Sequence, residues 1–374
     1  MSSFVGGLEA AVAPESSIAT ASERRLLWLR FKRHKLAMAG LVVTVLLYLI
    51  AAFAEPIAPF DPNHSSARLV YHPPQAIHWF DNGGLHPYVL AYRLKRDPVT
   101  LAATYVPDPN RKVYLGLWVQ GDPYNMWGLI PGDRHLFGPV DAGQTVFLFG
   151  ADRLGRDMLS RIIYGARASL SIGIVGVACS LILGILFGGI SGYFGGRIDW
   201  AVQRVIEFII SLPTIPIWLA LAAALPKSWS PLTTYFCITL IISLIGWTEL
   251  ARVVRGRFLA IRSETYVTAA WLDGCSRKRI IFRHMLPSLA SHIIASVTLA
   301  IPLMILAETA LSFLGIGLQP PAISWGALLK EAQDVNSLAE APWLLLPGVA
   351  VAITVLALNF LGDGLRDAAD PHAH

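Results

Sequence analysis

Residues 263–287 read SETYVTAAWLDGCSRKRIIFRHMLP, a polar and basic segment between two long apolar stretches. The pattern predicts two short helices joined by a tight turn. Ser263 is placed to cap the first helix, and Gly274 is placed where a left-handed residue ends it. Ser276 is placed to cap the second helix, and Pro287 to end it. The segment therefore forms a compact helical unit at the edge of the apolar part of the chain.

Three features of this segment, Ala269-Ala270, Gly274 and Leu286-Pro287, have a recognisable spacing. They resemble the signature loop of bacterial ABC importer permeases, although Thr268 stands where that family usually has Glu. The resemblance implies that the first short helix is a coupling helix, which seats in a cleft of a cytoplasmic ATPase subunit. The implied contact residues are Glu264, Tyr266, Thr268, Ala269, Ala270, Asp273, Gly274, Leu286 and Pro287.

The composition indicates a membrane protein. Of 374 residues, 54% are hydrophobic and only 15% are charged, and the mean hydropathy is +0.53. A soluble chain of this length needs more charge to cover its surface. The net charge of +5 does not indicate nucleic-acid binding, because the basic residues cluster beside apolar stretches. Cys179, Cys237 and Cys275 give no disulfide or metal-ligand spacing, and no Gly-Lys pair offers a P-loop.

Apolar stretches long enough to cross a bilayer, about 20 residues each, recur along the chain. They are residues 36–54, 168–196, 208–226, 228–248, 285–307 and 341–362. Basic residues before the first stretch and throughout 249–283 favour a cytoplasmic position for both regions. The sequence therefore predicts an all-α polytopic membrane protein with six transmembrane helices and both termini in the cytoplasm. A signal peptide cleaved after Ala52-Phe53-Ala54 is the alternative for the first stretch.

The domain organisation follows from these stretches. It comprises a cytoplasmic tail at 1–35, a first transmembrane helix at 36–54, an extracytoplasmic insertion at 55–150, a permease core with five transmembrane helices at 151–363, and a cytoplasmic tail at 364–374. Alternating runs such as residues 112–120 predict a small mixed or β-rich insertion. Aromatic side chains are predicted to form its core: Trp79, Tyr88, Tyr92, Tyr114, Trp118, Trp127 and Phe137.

Two further runs, residues 149–170 and 308–326, contain Gly155-Arg156-Asp157 and Ser324-Trp325-Gly326. They resemble the C-type subunit of dipeptide and oligopeptide permeases, in which the second run closes the fifth helix and starts a re-entrant external segment. The first run is predicted to be an amphipathic helix on the membrane surface. Its charged residues are expected near headgroups or paired with one another, and they are Arg156, Arg161, Arg167, Asp152 and Asp157.

Several residues inside the apolar stretches are candidates for a translocation path. Glu308 is a single carboxylate in a long apolar run, so it should face the bundle interior, a watery cavity or a basic partner. Pro213 and Pro216 imply a bend at the start of the third span. Gly184 and Gly188 are spaced for close helix packing. The predicted path residues are Glu308, Ser312, Phe313, Pro213 and Pro216.

The combined resemblance implies the permease subunit of an ATP-binding-cassette importer in the bacterial inner membrane. Such a subunit translocates peptides of the dipeptide or oligopeptide class, delivered by an extracytoplasmic binding protein. The implied partners are a second homologous permease, two ATP-binding subunits and membrane lipids, and no nucleic acid. The chain is expected to be no enzyme and to bind no cofactor, since ATP and Mg belong to the partner subunits.

Three alternatives remain open at this stage. The same architecture serves importers of oligosaccharides or other small solutes. An ion-coupled secondary transporter needs ionisable groups within the membrane, for which Glu308 and His292 are the candidates. A membrane-bound enzyme or receptor built around the insertion is the third, although its histidines show no catalytic or metal-ligand spacing. Those histidines are His64, His72, His78, His86 and His135.

Overall fold

The computed structural model describes residues 23–369 apart from 82, 97, 99–102, 142 and 227. The predicted tails therefore lie outside the described residues up to position 22 and from position 370. The helices are α1 (Glu23–Arg33), α2 (Lys35–Ala52), α3 (Ala54–Ile57), α4 (Met158–Phe194), α5 (Gly196–Ser211), α6 (Thr214–Ala223), α7 (Pro231–Ile261), α8 (Thr265–Leu272), α9 (Arg277–Arg279), α10 (Leu286–Ser288), α11 (Ala290–Phe313), α12 (Trp325–Leu329), α13 (Val335–Glu340) and α14 (Leu346–Ala369).

Six crossings follow from the directions of these helices. In the described part of the chain, five helices are long and apolar enough to span a membrane, and α5 with α6 form a further pair bent by 83°. Gly184 approaches Leu250 and Gly192 approaches Phe258, so α4 and α7 run in the same direction. The chain must therefore return across the membrane between them, through α5 and α6. The predicted six-span helical fold is confirmed.

The third crossing differs from its prediction as a single span over 208–226. It begins earlier, at Gly196, and breaks between Ser211 and Thr214. Leu212 and Pro213 have extended ψ values of 139° and 114°. The residue before a proline is driven out of the helical region, and proline cannot donate to the preceding turn, so the bend lies here.

Both described ends lie on the same side of the bundle. A Cβ at Gly364 would meet Ala37, and His34 lies 3.9 Å from Asp367, so α2 and α14 are antiparallel. Arg277 stacks over Phe194 at the end of α4, which brings the segment containing α8 and α9 to the same side. The loop between α2 and α4 emerges from the other side.

Close packing of α4 on α7 depends on small residues. A Cβ at Gly188 would lie 2.4 Å from the carbonyl oxygen of Ala251, and one at Gly192 would lie 2.6 Å from Phe258. Only glycine allows the two backbones to approach this closely. The predicted packing role of Gly184 and Gly188 is confirmed.

The insertion contains an antiparallel sheet in the order β1-β2-β3-β4. The strands are β1 (His78–Asp81), β2 (Gly84–Arg96), β3 (Ala103–Met126) and β4 (Ile130–Pro139). Its buried core consists of Val89, Val113 and Val146, with smaller contributions from Phe60 and Leu148. The β-rich prediction is therefore confirmed.

The predicted aromatic core of the insertion is wrong. Trp79, Trp118 and Trp127 are more than half exposed, and Tyr114 is also exposed. Tyr88, Tyr92 and Phe137 are only partly buried. Side chains alternate between the faces of a strand, and the valines of β2 and β3 occupy the inner face. Most of the large aromatic rings are left outside.

Residues before α4 form a charged loop, not the predicted surface helix. The buried Asp152 pairs with Arg156 at 2.7 Å and with Arg161 at 3.5 Å. Asp157 caps α4 instead of pairing, since its side chain accepts from Ser160 N at 2.7 Å. Arg167 lies further along α4 and faces α3, so it pairs with Glu55 at 2.6 Å. Pairing within the run is therefore confirmed for Asp152 but not for Asp157 or Arg167, and the alternative position of the arginines near headgroups stays a prediction.

Acid is expected to destabilise the insertion through His72. This ring is buried against Tyr92, Tyr105 and Phe147, and burial lowers the pKa of His72 from 6.5 to about 4. Below pH 6.5 the unfolded insertion gains a proton that the folded one excludes. The free energy of unfolding of the insertion is therefore highest above pH 6.5, and it falls by up to about 3 kcal/mol as the pH decreases to 4. Hydrogen exchange of β3, corrected for the intrinsic pH effect, measures this loss.

His72→Phe keeps an aromatic ring among Tyr92, Tyr105 and Phe147 and removes the titrating group. The hydrogen exchange of β3 in this variant should therefore vary much less with pH. Substituting the exposed His64 with Asn serves as the control and should keep the wild-type profile. Identical profiles for the wild type and His72→Phe would contradict the assignment.

Candidate coupling site

The first short helix of the 263–287 segment is α8. It begins at Thr265, with Glu264 at the N-cap position and no side-chain cap hydrogen bond. The predicted capping role of Ser263 is therefore wrong, because the helix starts one residue too late for it. Instead, the carbonyl oxygen of Glu264 accepts from the backbone N–H groups of Val267 and Thr268 at 3.1 and 3.0 Å.

The turn after α8 has the predicted form. Gly274 has φ 73°. Its N–H donates to Trp271 O at 3.1 Å, and the N–H of Cys275 donates to Ala270 O at 3.0 Å. These two bonds define a Schellman motif, which satisfies the last carbonyls of a helix. The left-handed conformation suits glycine since it has no Cβ.

The second helix departs from its prediction at its end. Ser276 caps α9, as predicted, by accepting from Arg279 N. A π-helical turn, Ile280–Met285, follows. Pro287 then lies inside α10 and close to the start of α11, so it does not terminate a helix as predicted. The helical path continues through this position: the N–H of Leu286 donates to Ile281 O of the π-helical turn, and Pro287 has no N–H of its own to satisfy.

The inner face of this segment is anchored in the bundle. Val267 and Ala270 of α8 pack with Phe258 of α7 and with Ile280 and Met285 of the π-helical turn, and all five are buried. A fully buried side chain of this size contributes about 1.5–3 kcal/mol. Helix α8 is therefore fixed to the end of α7, and a displacement of α8 is transmitted to α7.

The outer face carries two large apolar side chains, Trp271 and Leu272, that are not among the predicted contact residues. Trp271 is 64% exposed and Leu272 is 73% exposed, beside the exposed Tyr266 and Phe282. Their signal in the sequence was the occurrence of large apolar residues in an otherwise basic loop. Such a patch on a rigid, projecting helix is typical of a protein–protein contact.

The predicted contact residues are divided between the two faces. Glu264, Tyr266, Thr268, Ala269, Asp273, Gly274 and Pro287 are exposed. Ala270 is buried and Leu286 is half-buried, so these two support the segment from within. The Thr268 hydroxyl donates to the carbonyl oxygen of Glu264 at 3.2 Å and so bonds within its own helix. Whether the exposed residues contact a partner stays a prediction.

A cleft of about 360 Å³ adjoins α8 and opens to solvent. Its lining includes Phe194, Arg262, Trp271 and Arg277. Arg277 lies 5.6 Å above the ring of Phe194, a cation–π contact that ties the segment to the end of α4. The segment is thus connected to both parallel helices, α4 and α7.

Glu308 lies at the centre of a buried hydrogen-bond network. It is fully buried, and its carboxylate accepts from Ser312 and Ser324 at 2.7 Å each and from Ser169 at 3.3 Å. Ser169 belongs to α4, Ser312 to α11, and Ser324 caps α12. The carboxylate therefore holds the segment that follows α11 onto two crossings.

The predicted path residues separate into two groups. Glu308 and Ser312 have no accessible surface, so they do not face an open path in this structure. Phe313 is half-buried, while Pro213 and Pro216 are exposed at the bend between α5 and α6. A role in translocation stays a prediction for all five residues.

The histidines of the insertion have structural contacts. The ring nitrogens of buried His135 face the carbonyl oxygens of Ala58 and Asp122. His78 stacks on Tyr88. Across the described residues, no three His, Cys, Asp or Glu side chains are grouped so as to hold a metal ion.

The fold defines a helical membrane protein with the short helix α8 on the side of its described ends. The chain belongs to the family of binding-protein-dependent transport system inner membrane components, whose model matches residues 184–374. Residues 22–74 match a second model, the N-terminal transmembrane domain of oligopeptide transport permease C. The chain is therefore a transmembrane permease of the ABC transporter class, and the predicted family is confirmed.

Individual relatives align over most of the chain. The oligopeptide transport system permease protein OppC of Bacillus subtilis is 29% identical over 92% of this chain and 88% of its own length. The dipeptide transport system permease protein DppC of the same organism is 30% identical over 92% and 84%. The di/tripeptide transport system permease protein DppC of Pseudomonas aeruginosa is 30% identical over 96% of both chains.

Proposed function

We propose that this chain is the permease subunit of an ATP-driven importer of peptides of the dipeptide or oligopeptide class. Support for peptides comes from relatives that align over 92% to 96% of the chain and are named as oligopeptide, dipeptide and di/tripeptide permeases. A binding protein on the side of the insertion delivers the substrate. The chain contributes half of the path, and a second homologous permease contributes the other half.

The observation that carries this proposal is the apolar outer face of α8. Trp271 and Leu272 project from a helix whose inner face is fixed to α7 through Val267 and Ala270. An ATP-binding subunit that covers this patch buries apolar surface and contacts a helix that is fixed to α7. Two such subunits, one for each permease, bind ATP and Mg, and this chain itself is not catalytic. Their closure shifts α8, then α7, and through the glycine contacts α4.

The orientation in the membrane follows from charge. Arg277, Lys278 and Arg279 lie beside α8, and the described ends of the chain lie on the same side. Basic residues next to spans favour the cytoplasmic side. We therefore place both termini and α8 in the cytoplasm, and the insertion outside.

Uptake of a labelled dipeptide and tripeptide into proteoliposomes tests the function, using the complex purified with its native partners. We expect uptake to require ATP and the binding protein and to persist when an uncoupler collapses the proton gradient. Unlabelled peptides should compete, and oligosaccharides should not. Uptake that proceeds without ATP and stops with the uncoupler would instead establish the ion-coupled alternative.

A further inference from the structure

The turn between β3 and β4 is uncharged and apolar. We call Met126, Trp127, Gly128, Leu129 and Ile130 the hairpin tip. The surrounding residues 123–132, PYNMWGLIPG, contain no charge, while an aspartate stands on each side at positions 122 and 133. Trp127, Leu129 and Ile130 are all exposed. An apolar turn of this kind is unusual, since hairpin turns in water favour Asn, Asp and Gly.

The hairpin runs back toward the membrane. His135 contacts the carbonyl oxygen of Ala58, beyond the end of α3. Nearer the tip, the indole N–H of Trp127 donates to the carbonyl oxygen of Ala52 at 2.7 Å. Ala52 is the last residue of α2, the first membrane span. The hairpin thus follows the chain from Ala58 to the boundary of the span, and the tip is the part closest to the membrane.

Trp127 is held in this position against its backbone preference. Its φ is 53° and that of Gly128 is 72°, and the N–H of Leu129 donates to Met126 O at 3.0 Å. Two consecutive positive φ values are the signature of a type I′ turn, whose first central residue is usually Asn, Asp or Gly. A bulky residue there is strained. Its indole bond to Ala52 and its ring contact with Phe53, at 5.7 Å between centroids, offset that strain.

The tip extends an apolar stripe along α2. Val42, Leu46, Leu49 and Phe53 follow one another at helical spacing, and all are exposed. The opposite face of α2 carries the small buried residues Ala37, Gly40, Thr44 and Ala51, and Gly40 and Ala37 pack against α14. Small residues mark helix–helix contacts in membranes, whereas large aliphatic side chains suit lipid. The exposed stripe therefore faces lipid, and Phe53 connects it to Trp127.

We propose that the hairpin tip inserts into the outer part of the lipid leaflet on the side of the insertion. Trp127 then occupies the headgroup boundary, where indole is favoured, and Leu129 and Ile130 contact the acyl chains. This contact anchors the insertion to the bilayer at the end of the first span. The inference depends on the membrane location of α2 and not on which solute the transporter carries.

A nitroxide label placed at position 129 tests the proposal in the permease complex with its ATP-binding subunits, reconstituted in vesicles of phosphatidylethanolamine and phosphatidylglycerol. Cys179, Cys237 and Cys275 are first replaced with alanine, and membrane integration and complex assembly are verified. The matched control is a label at Leu117, which is 83% exposed against 81% for Leu129. Position 117 lies about 30 Å along β3 from the tip, counting about 3.3 Å per residue.

Oxygen concentrates in lipid, whereas a nickel chelate stays in water. We expect the ratio of oxygen collisions to nickel-chelate collisions to be several-fold higher for the label at 129 than for the label at 117. A collision ratio at 129 equal to that at 117 would place the tip in water and overturn the proposal. Protection of position 129 from both reagents would also overturn it, since the tip would then be covered by a protein partner.

Discussion

Substitution of Gly274 with valine is expected to reduce peptide uptake about tenfold or more while the chain stays in the membrane and ATP hydrolysis continues. The Gly274 turn has φ 73°, where a residue with a Cβ costs about 1–2 kcal/mol and a β-branched one more. Every 1.4 kcal/mol is about a factor of ten in an equilibrium. Because a Cβ at this position meets nothing within 4 Å, the effect acts through the backbone alone.

The expected consequence is a displaced end of α8. Opening the turn breaks the hydrogen bonds to the carbonyl oxygens of Ala270 and Trp271. The side chains of Trp271 and Leu272 then no longer have a fixed direction. The quantity to measure is the number of peptides taken up per ATP hydrolysed. Gly274→Asn should retain most of the coupling, since asparagine tolerates a positive φ.

The matched control for this experiment is Gly256→Val. Gly256 lies within α7, and a Cβ there also meets nothing within 4 Å, but its φ is helical. The Gly256→Val variant should therefore take up the wild-type number of peptides per ATP hydrolysed. If Gly274→Val transported with wild-type stoichiometry, the assignment of α8 as the coupling helix would fail.

Local features of the fold could be predicted from the sequence. The apolar stretches gave the membrane spans, and the positions of Gly274 and Ser276 gave a helix end and a helix start that the structure confirms. These signals depend on residues close together in the chain. The spacing of Gly184 and Gly188 indicated a close helix contact for the same reason, though it did not identify α7 as the partner.

Pairings between distant residues could not be predicted in this way. Arg167 has two aspartates nearby in sequence, but the fold places it against Glu55, which lies 112 residues away. Similarly, Glu308 accepts from Ser169, which lies 139 residues away on α4, and from Ser324, which lies 16 residues away beyond the end of α11. Each of these contacts is fixed by how the crossings assemble, which local patterns do not specify.

The insertion and the coupling site show a second limit. Aromatic residues were expected inside the small β domain because large rings bury the most surface. Trp127 instead lies at the end of α2, and Trp79 and Trp118 are exposed. Trp271 and Leu272 of the coupling site are also exposed, and they are not among the predicted contact residues. Within the alternating strands of the insertion, an exposed apolar residue has the same sequence signature as a buried one, so only the structure distinguishes them.

Replacing Glu308 with alanine is expected to destabilise the chain by about 3 kcal/mol or more, because three buried hydroxyl donors lose their acceptor at a cost of about 1 kcal/mol or more each. Each serine hydroxyl in the network accepts from a backbone N–H: Ser169 from Trp325, Ser312 from Leu318, and Ser324 from Ala327. Each then donates to Glu308. A carboxylate can accept all three hydroxyls, and alanine leaves them without an acceptor.

The loss should appear as a lower unfolding temperature in detergent and as faster proteolysis of the segment between α11 and α14, which Glu308 holds through Ser324. Glu308→Gln should have a smaller effect, because an amide keeps one accepting oxygen. The neighbouring Thr309 gives a stringent control, because its hydroxyl is buried without a hydrogen-bond partner. Thr309→Val should therefore be neutral or stabilising, since valine has a similar shape and removes the unsatisfied hydroxyl. Equal damage from Thr309→Val and Glu308→Ala would mean that any change at this depth disturbs packing, and the network would lose its assigned role in holding the segment between α11 and α14.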